Sequence, residues 1–151
     1  AVKLEGAKLS QIRALASSGI PVMGHVGFTP QSVNTLAGYK VQGRTEQDAA
    51  RILQECKDIE AAGAFAVVLE MIPAELAQEI SQKLAIPTIG IGAGADCDGQ
   101  ILVWQDFAGL GTRSPKFAKQ YLNLRQDLSA AATAFRNEVV AGEFPAPEQQ
   151  F

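Results

Sequence analysis

The sequence predicts an α/β fold built on a parallel sheet, and two observations carry that prediction. Short apolar runs alternate with helix-period segments along nearly the whole chain. Two of those runs, residues 65–69 (Phe-Ala-Val-Val-Leu) and 86–91 (Ile-Pro-Thr-Ile-Gly-Ile), lack the polar alternation of a strand with one wet face. Strands buried on both faces read this way in parallel sheets, and parallel neighbours need crossover connections that are usually helices. With 151 residues there is room for one domain and about five strands. An open doubly wound sheet and a (β/α)8 barrel are both compatible with the alternation, but a complete barrel takes about 250 residues and is excluded on length.

The elements follow in order. Residues 2–5 form a short alternating stub, and residues 8–18 then set Leu9, Ile12, Leu15 and Ala16 at helical spacing before Gly19, a residue suited to the position after a helix end. Residues 20–25 read as a strand with Pro21 at its entrance, where a missing amide donor is tolerated. Residues 26–44 contain Gly27, Pro30, Gly38 and Gly43 without a clean period, the signature of a long functional loop. Thr45 is placed to cap a helix whose apolar face is Ala49, Ile52, Leu53, Cys56, Ile59 and Ala62. The run at 65–70 is the next strand, Pro73 opens a helix to about Leu84, and 86–91 is a strand leading into Gly92-Ala93-Gly94. A last strand is predicted at 100–104 and a long helix at 116–141, with Phe117, Tyr121, Leu124, Leu128, Ala132 and Phe135 on one face and an irregular tail after it. Ile20-Pro21-Val22-Met23-Gly24 and Ile86-Pro87-Thr88-Ile89-Gly90 suggest two equivalent βα units.

Composition removes several function classes. A net charge of −3, with 13 Lys and Arg scattered along the chain, gives no attraction for a nucleic-acid backbone. No apolar run approaches the roughly 20 residues of a membrane span, and the chain reads as soluble and cytoplasmic. Cys56 and Cys97 are too far apart in sequence for a metal knuckle and too few for a disulfide framework, so both are expected to be reduced and inert. The opening Ala-Val-Lys-Leu-Glu-Gly, without Met, reads as the end of a strand already under way, so the chain is expected to belong to a longer protein.

Chemistry in parallel α/β folds gathers where strands end, because the loops there share one face. Four polar residues hold that position: Lys3 and Glu5 on the first stub, His25 after the second strand and Glu70 after the third. Glu70 is a candidate base, and its plain reading is a solvated carboxylate one residue beyond the core. His25, the only histidine, is a candidate site residue or a strand-end side chain bonded to backbone. Lys3 and Glu5, two apart on a strand, share a face; they make an ion pair, or a cation for a substrate oxyanion beside a carboxylate for a metal. Phe28, Tyr39, Lys40 and Arg44 could cover a ligand from the long loop. Gly90-Ile91-Gly92-Ala93-Gly94-Ala95 satisfies a dinucleotide fingerprint, but a turn at 96–99 and Thr112-Arg113 stand where a helix and an acid should be.

The segments Gly24-His25-Val26-Gly27-Phe28-Thr29-Pro30-Gln31-Ser32 and Gly38-Tyr39-Lys40-Val41-Gln42-Gly43-Arg44 closely resemble the ketopantoate hydroxymethyltransferase family. The likeness continues through Val68-Leu69-Glu70-Met71-Ile72-Pro73, residues 86–94, Asp98-Gly99-Gln100-Ile101-Leu102-Val103 and Pro115-Lys116-Phe117-Ala118-Lys119. It implies a (β/α)8 TIM barrel of the phosphoenolpyruvate/pyruvate superfamily, here only its C-terminal part as one domain over 1–151, and a homo-oligomer, a decamer in the family. It also implies a magnesium-dependent transfer of a hydroxymethyl group from methylenetetrahydrofolate to ketoisovalerate (3-methyl-2-oxobutanoate), giving ketopantoate on the way to pantothenate. On that resemblance Glu70 is the base, Lys3 and His25 contact the keto acid and Glu5 belongs to the metal site, while Tyr39, Lys40 and Arg44 are candidate substrate or pterin-glutamate contacts. The family carries two magnesium-binding aspartates ahead of the segment matching Lys3, and Asp96 and Asp98 do not replace them. Between Glu5 and His25 this chain is two residues shorter than the family pattern. Two other readings stay open: a non-catalytic fragment or assembly partner, and another metal-dependent keto-acid lyase or mutase.

Overall fold

The computed structural model describes residues 1–35 and 38–151, so residues 36 and 37 of the long loop lie outside the described residues. Five strands run parallel in a single sheet: β1 (Val2–Glu5), β2 (Val22–Gly27), β3 (Ala66–Glu70), β4 (Thr88–Ile91) and β5 (Gly99–Gln100). Their order across the sheet is their order in the chain. A doubly wound sheet reverses direction at a switch point. Here no reversal occurs among the five strands, which is the winding of a barrel sector, so the open-sheet alternative falls. Helices α1 (Leu9–Ser17), α2 (Glu46–Ala61) and α3 (Ala74–Lys83) make the crossovers from β1 to β4. These elements make up one compact unit, Ala1–Ile101; Leu102–Phe151 make up a second.

The register divides the sheet's two faces. Leu4 pairs with Gly24, and Gly24 in turn with Val67; these positions, together with Val22, Val26 and Leu69, face the helices. Against them pack Ile12 of α1, Ile52, Cys56 and Ile59 of α2, and Leu76, Ala77 and Ile80 of α3, all buried. Each large side chain buried this way contributes about 1.5–3 kcal/mol of hydrophobic stabilisation. Gly24 has no room for a Cβ, which would stand 2.5 Å from Ile59 Cγ2, so α2 lies directly on the backbone of β2.

The repeated Ile-Pro phrases are structurally equivalent. Pro21 and Pro87 each immediately precede a strand, and each lends its carbonyl to a neighbouring strand: Val2 N–H donates to Pro21 O at 2.9 Å and Val67 N–H to Pro87 O at 3.0 Å. Thr45 caps α2 as expected, its hydroxyl accepting from Asp48 N–H at 3.2 Å.

The structure departs from the sequence reading in the second unit and just before it. The strand predicted at 100–104 is only Gly99–Gln100, and Trp104 instead begins the short helix α4 (Trp104–Phe107). The helix predicted from Lys116 begins at α5 (Leu124–Ala141), capped by Asn123, so Phe117 and Tyr121 are not on it. Backbone donors ahead of α5 are already taken: Tyr121 N–H donates to Phe107 O at 2.8 Å and Leu124 N–H to Ala108 O at 2.9 Å, closing the end of α4 instead of opening a helix at 116. α5 buries no residue, and Leu128, Phe135 and Val139 of its apolar face are all exposed.

Candidate active site

Parallel pairing brings the four strand-end residues together. Glu5 is in register with His25, and Gly27, two residues beyond His25, is in register with Glu70. Lys3 and Glu5 are two apart, so all four side chains leave the sheet on the face away from the helices. Gly27 makes the approach possible: its φ is +88°, and a Cβ there would run into the carbonyl oxygen of Glu70. Phe28 N–H donates to that same carbonyl at 2.8 Å, locking the ends of β2 and β3 together.

The side chains form a continuous run. Lys3 Nζ lies 3.0 Å from His25 Nδ1 and 3.4 Å from Glu5 Oε1. On the other side of the ring, His25 Nε2 lies 3.0 Å from Glu70 Oε2. An ammonium has only donors, so Nδ1 must accept and the ring proton of a neutral His25 belongs on Nε2, against the Glu70 carboxylate. A protonated ring would set a second donor against the lysine. Lys3 thus selects the tautomer of the neutral ring. Its Nε2–H is not aligned with Glu70 Oε2, and Nε2 makes no hydrogen bond among the described residues. A buried donor without an acceptor is costly unless a ligand completes it. The side chain of His25 is 4% exposed and that of Glu70 13%, so the carboxylate is the open end of the pair.

Glu5 is spoken for. One oxygen faces Lys3, and the other accepts from Gln31 N–H at 2.9 Å, tying the end of β1 to a single 3-10 turn (Pro30–Ser32) at the start of the long loop. The far part of that loop is held by Gln42 N–H donating to Met71 O at 2.9 Å. Phe28 is buried beneath an exposed Tyr39, ring centroids 5.0 Å apart, so Phe28 supports the loop from below and Tyr39 is the ring open to solvent.

A family model described as ketopantoate hydroxymethyltransferase matches residues 1–147. The chain belongs to this family. It is 56% identical over 153 aligned residues to the 3-methyl-2-oxobutanoate hydroxymethyltransferase of Thermobifida fusca, covering all of this chain and 55% of that protein. The corresponding figures are 58% over 151 residues for Streptomyces coelicolor, with 98% and 52% covered, and 53% over 154 for Mycobacterium tuberculosis, with 100% and 54% covered. The chain spans about half the length of the curated relatives it matches. The ketopantoate hydroxymethyltransferase fold is a TIM barrel, and five strands wound in chain order are a sector of one.

Other motifs of this hydroxymethyltransferase sector resolve as structure. No helix follows β4: residues 92–98 bend straight into β5, so the glycine-rich run does not open a dinucleotide site. Asp98 accepts from Thr88 N–H at 2.8 Å and from its hydroxyl at 3.0 Å, and these bonds hold its carboxyl below the ordinary range. Burial pushes the Cys56 thiol up to about 12, which keeps it protonated and inert. Among the described residues no group of three or more His, Cys, Asp or Glu is placed to hold a metal, and no helix is long and apolar enough to cross a membrane. Glu5 is a single carboxylate, and a magnesium site needs several oxygen ligands.

Sequence reasoning found all four clustered side chains and missed the backbone that holds them. Gln31 and Gln42 act through their amides, which carry no residue-specific signal. Met71 has φ +49°, the one positive-φ residue other than glycine among those described.

Proposed function

We propose that the complete protein transfers a hydroxymethyl group from methylenetetrahydrofolate to 3-methyl-2-oxobutanoate, giving ketopantoate for pantothenate synthesis, with Glu70 as the base. The observation that carries this reading is the Lys3–His25–Glu70 run on one face of the strand ends, with an unfulfilled donor at His25 Nε2. The methine carbon beside the ketone is a very weak acid, so its removal needs a base together with positive charge or donors for the oxygen that becomes an enolate. Glu70 takes the proton, the C–H electron pair becomes the enolate double bond as the carbonyl π pair moves onto oxygen, and the enolate carbon then attacks the one-carbon unit, whose bonds to the folate nitrogens break while water supplies the hydroxyl oxygen. Lys3 supplies positive charge to the substrate oxygens, and His25 Nε2–H supplies a donor beside the carboxylate.

The formal charges of Lys3, Glu5 and Glu70 sum to −1, and a keto-acid anion brings the sum to −2. A divalent cation would offset this, which fits magnesium as the family's metal, with Glu5 as one carboxylate of its site. The described residues supply only part of that site. Tyr39, Lys40 and Arg44 are proposed contacts for substrate or folate, and a homo-oligomer is the proposed assembly.

The test is deuterium incorporation at the methine carbon of 3-methyl-2-oxobutanoate in D₂O with Mg²⁺, read by NMR. Exchange that falls by about 10²-fold or more in Glu70→Gln supports the base assignment. No exchange from the folded chain overturns the reading for these 151 residues and leaves them a non-catalytic part of the enzyme; exchange that persists in Glu70→Gln removes Glu70 from the role.

A further inference from the structure

β3 ends in an unusual way. Glu70 is its last residue, and Met71 immediately enters the left-handed region at φ +49°. For a residue with a side chain this conformation is disfavoured, and where it persists the surroundings over-determine it. The surroundings here are three backbone bonds. Phe28 N–H holds Glu70 O at 2.8 Å, Met71 N–H donates to Ile91 O on β4 at 2.9 Å, and Met71 O receives Gln42 N–H at 2.9 Å. Met71 therefore bridges β4 on one side and the long loop on the other, with its backbone alone. The turn also returns Ile72 to the buried core directly after Glu70.

An extended residue at 71 would carry the strand on, point its carbonyl away from Gln42 and move Ile72 out of the core. Every one of those changes pulls on the peptide unit that carries Glu70. We propose that Met71 is a positioning residue: its left-handed backbone, and not its side chain, holds the Glu70 carboxylate beside His25 and fastens the loop around 42 to that strand end. The inference rests on the reading of Glu70 as the base, and it extends that reading to how the base is held.

His25 is the only histidine, so a tag-free chain labelled with ¹⁵N-histidine gives one imidazole to observe. The ring signals are compared in the wild-type chain and in Met71→Gly, Met71→Asn and Met71→Val. Glycine and asparagine adopt the left-handed region readily, and valine is strongly resistant to it. The expected result is that Gly and Asn keep the wild-type ring signals while Val displaces them and lowers methine exchange about tenfold or more. A Gly variant as disturbed as Val would mean that the side chain matters, and a Val variant with unchanged ring signals would mean that the conformation does not; either overturns the proposal. Should Val not fold, judged by its thermal transition, Met71→Ala takes its place with the same two criteria. The ring signals are read without substrate, so failure here is separable from failure of the Glu70 assignment.

Discussion

His25 is chemically defined by its neighbours. Lys3 can only donate, so the lone pair must be on Nδ1 and the proton on Nε2, beside Glu70. The ¹⁵N signals of the single imidazole should accordingly show one protonated nitrogen, assigned to Nε2 by its couplings to the ring carbons. Lys3→Met removes the donor and should release the ring to a mixture of tautomers. A wild-type ring protonated at Nδ1 would contradict the arrangement outright. This cluster was legible in the sequence because strand-end position and residue type are both visible there: an acid, a histidine and a lysine each closing an apolar run. What could not be read is that Glu5 spends an oxygen on the Gln31 amide, or that Met71 is left-handed, since backbone partners across the fold leave no mark on a residue's identity.

Among the elements, the β4 to β5 connection shows how a turn can be held by one carboxylate. Asp98 accepts from both the amide and the hydroxyl of Thr88, which is itself fully buried and also meets the Ser81 hydroxyl of α3 at 2.7 Å. Those bonds, the Thr88 amide foremost, lower the folded carboxyl's proton affinity. A lowered folded pKa contributes stability that is present above the unfolded value, about 3.9, and is lost as pH falls through the folded one. Asp98→Asn should therefore unfold at lower urea than wild type at pH 7, and the two midpoints should converge below about pH 4. A gap that stays constant to pH 3 would show that no proton is linked there. The helix that began late teaches the complementary lesson. Apolar residues at 117 and 121 continue the period of α5, yet the amides of Tyr121 and Leu124 had better partners at the end of α4, and hydrogen bonding overrode periodicity.

At the scale of the molecule, order in space follows order in sequence. β2 and β3 pair on both sides and carry the most buried residues, whereas α5 buries none. Local opening free energy tracks such differences. Native-state hydrogen exchange should find the slowest amides in β2 and β3 and markedly faster ones along α5. Protection of α5 equal to that of β3 would mean that its apolar face is covered in solution. The alternation of strands and helices announced the α/β class, but the sequence left barrel and doubly wound sheet undecided until the family resemblance was drawn. Strand order settles it physically, because only the pairing pattern reveals whether the chain ever turns back.

That strand order has a consequence for inheritance. Lys3, Glu5, His25 and Glu70 come from three consecutive strands, and what β4 gives to the end of β3 is the backbone carbonyl of Ile91, which any residue could supply. A genetic crossover in the connection between α3 and β4 would exchange everything downstream while parting none of the four. The four-residue cluster and the later strands can thus diversify on separate clocks.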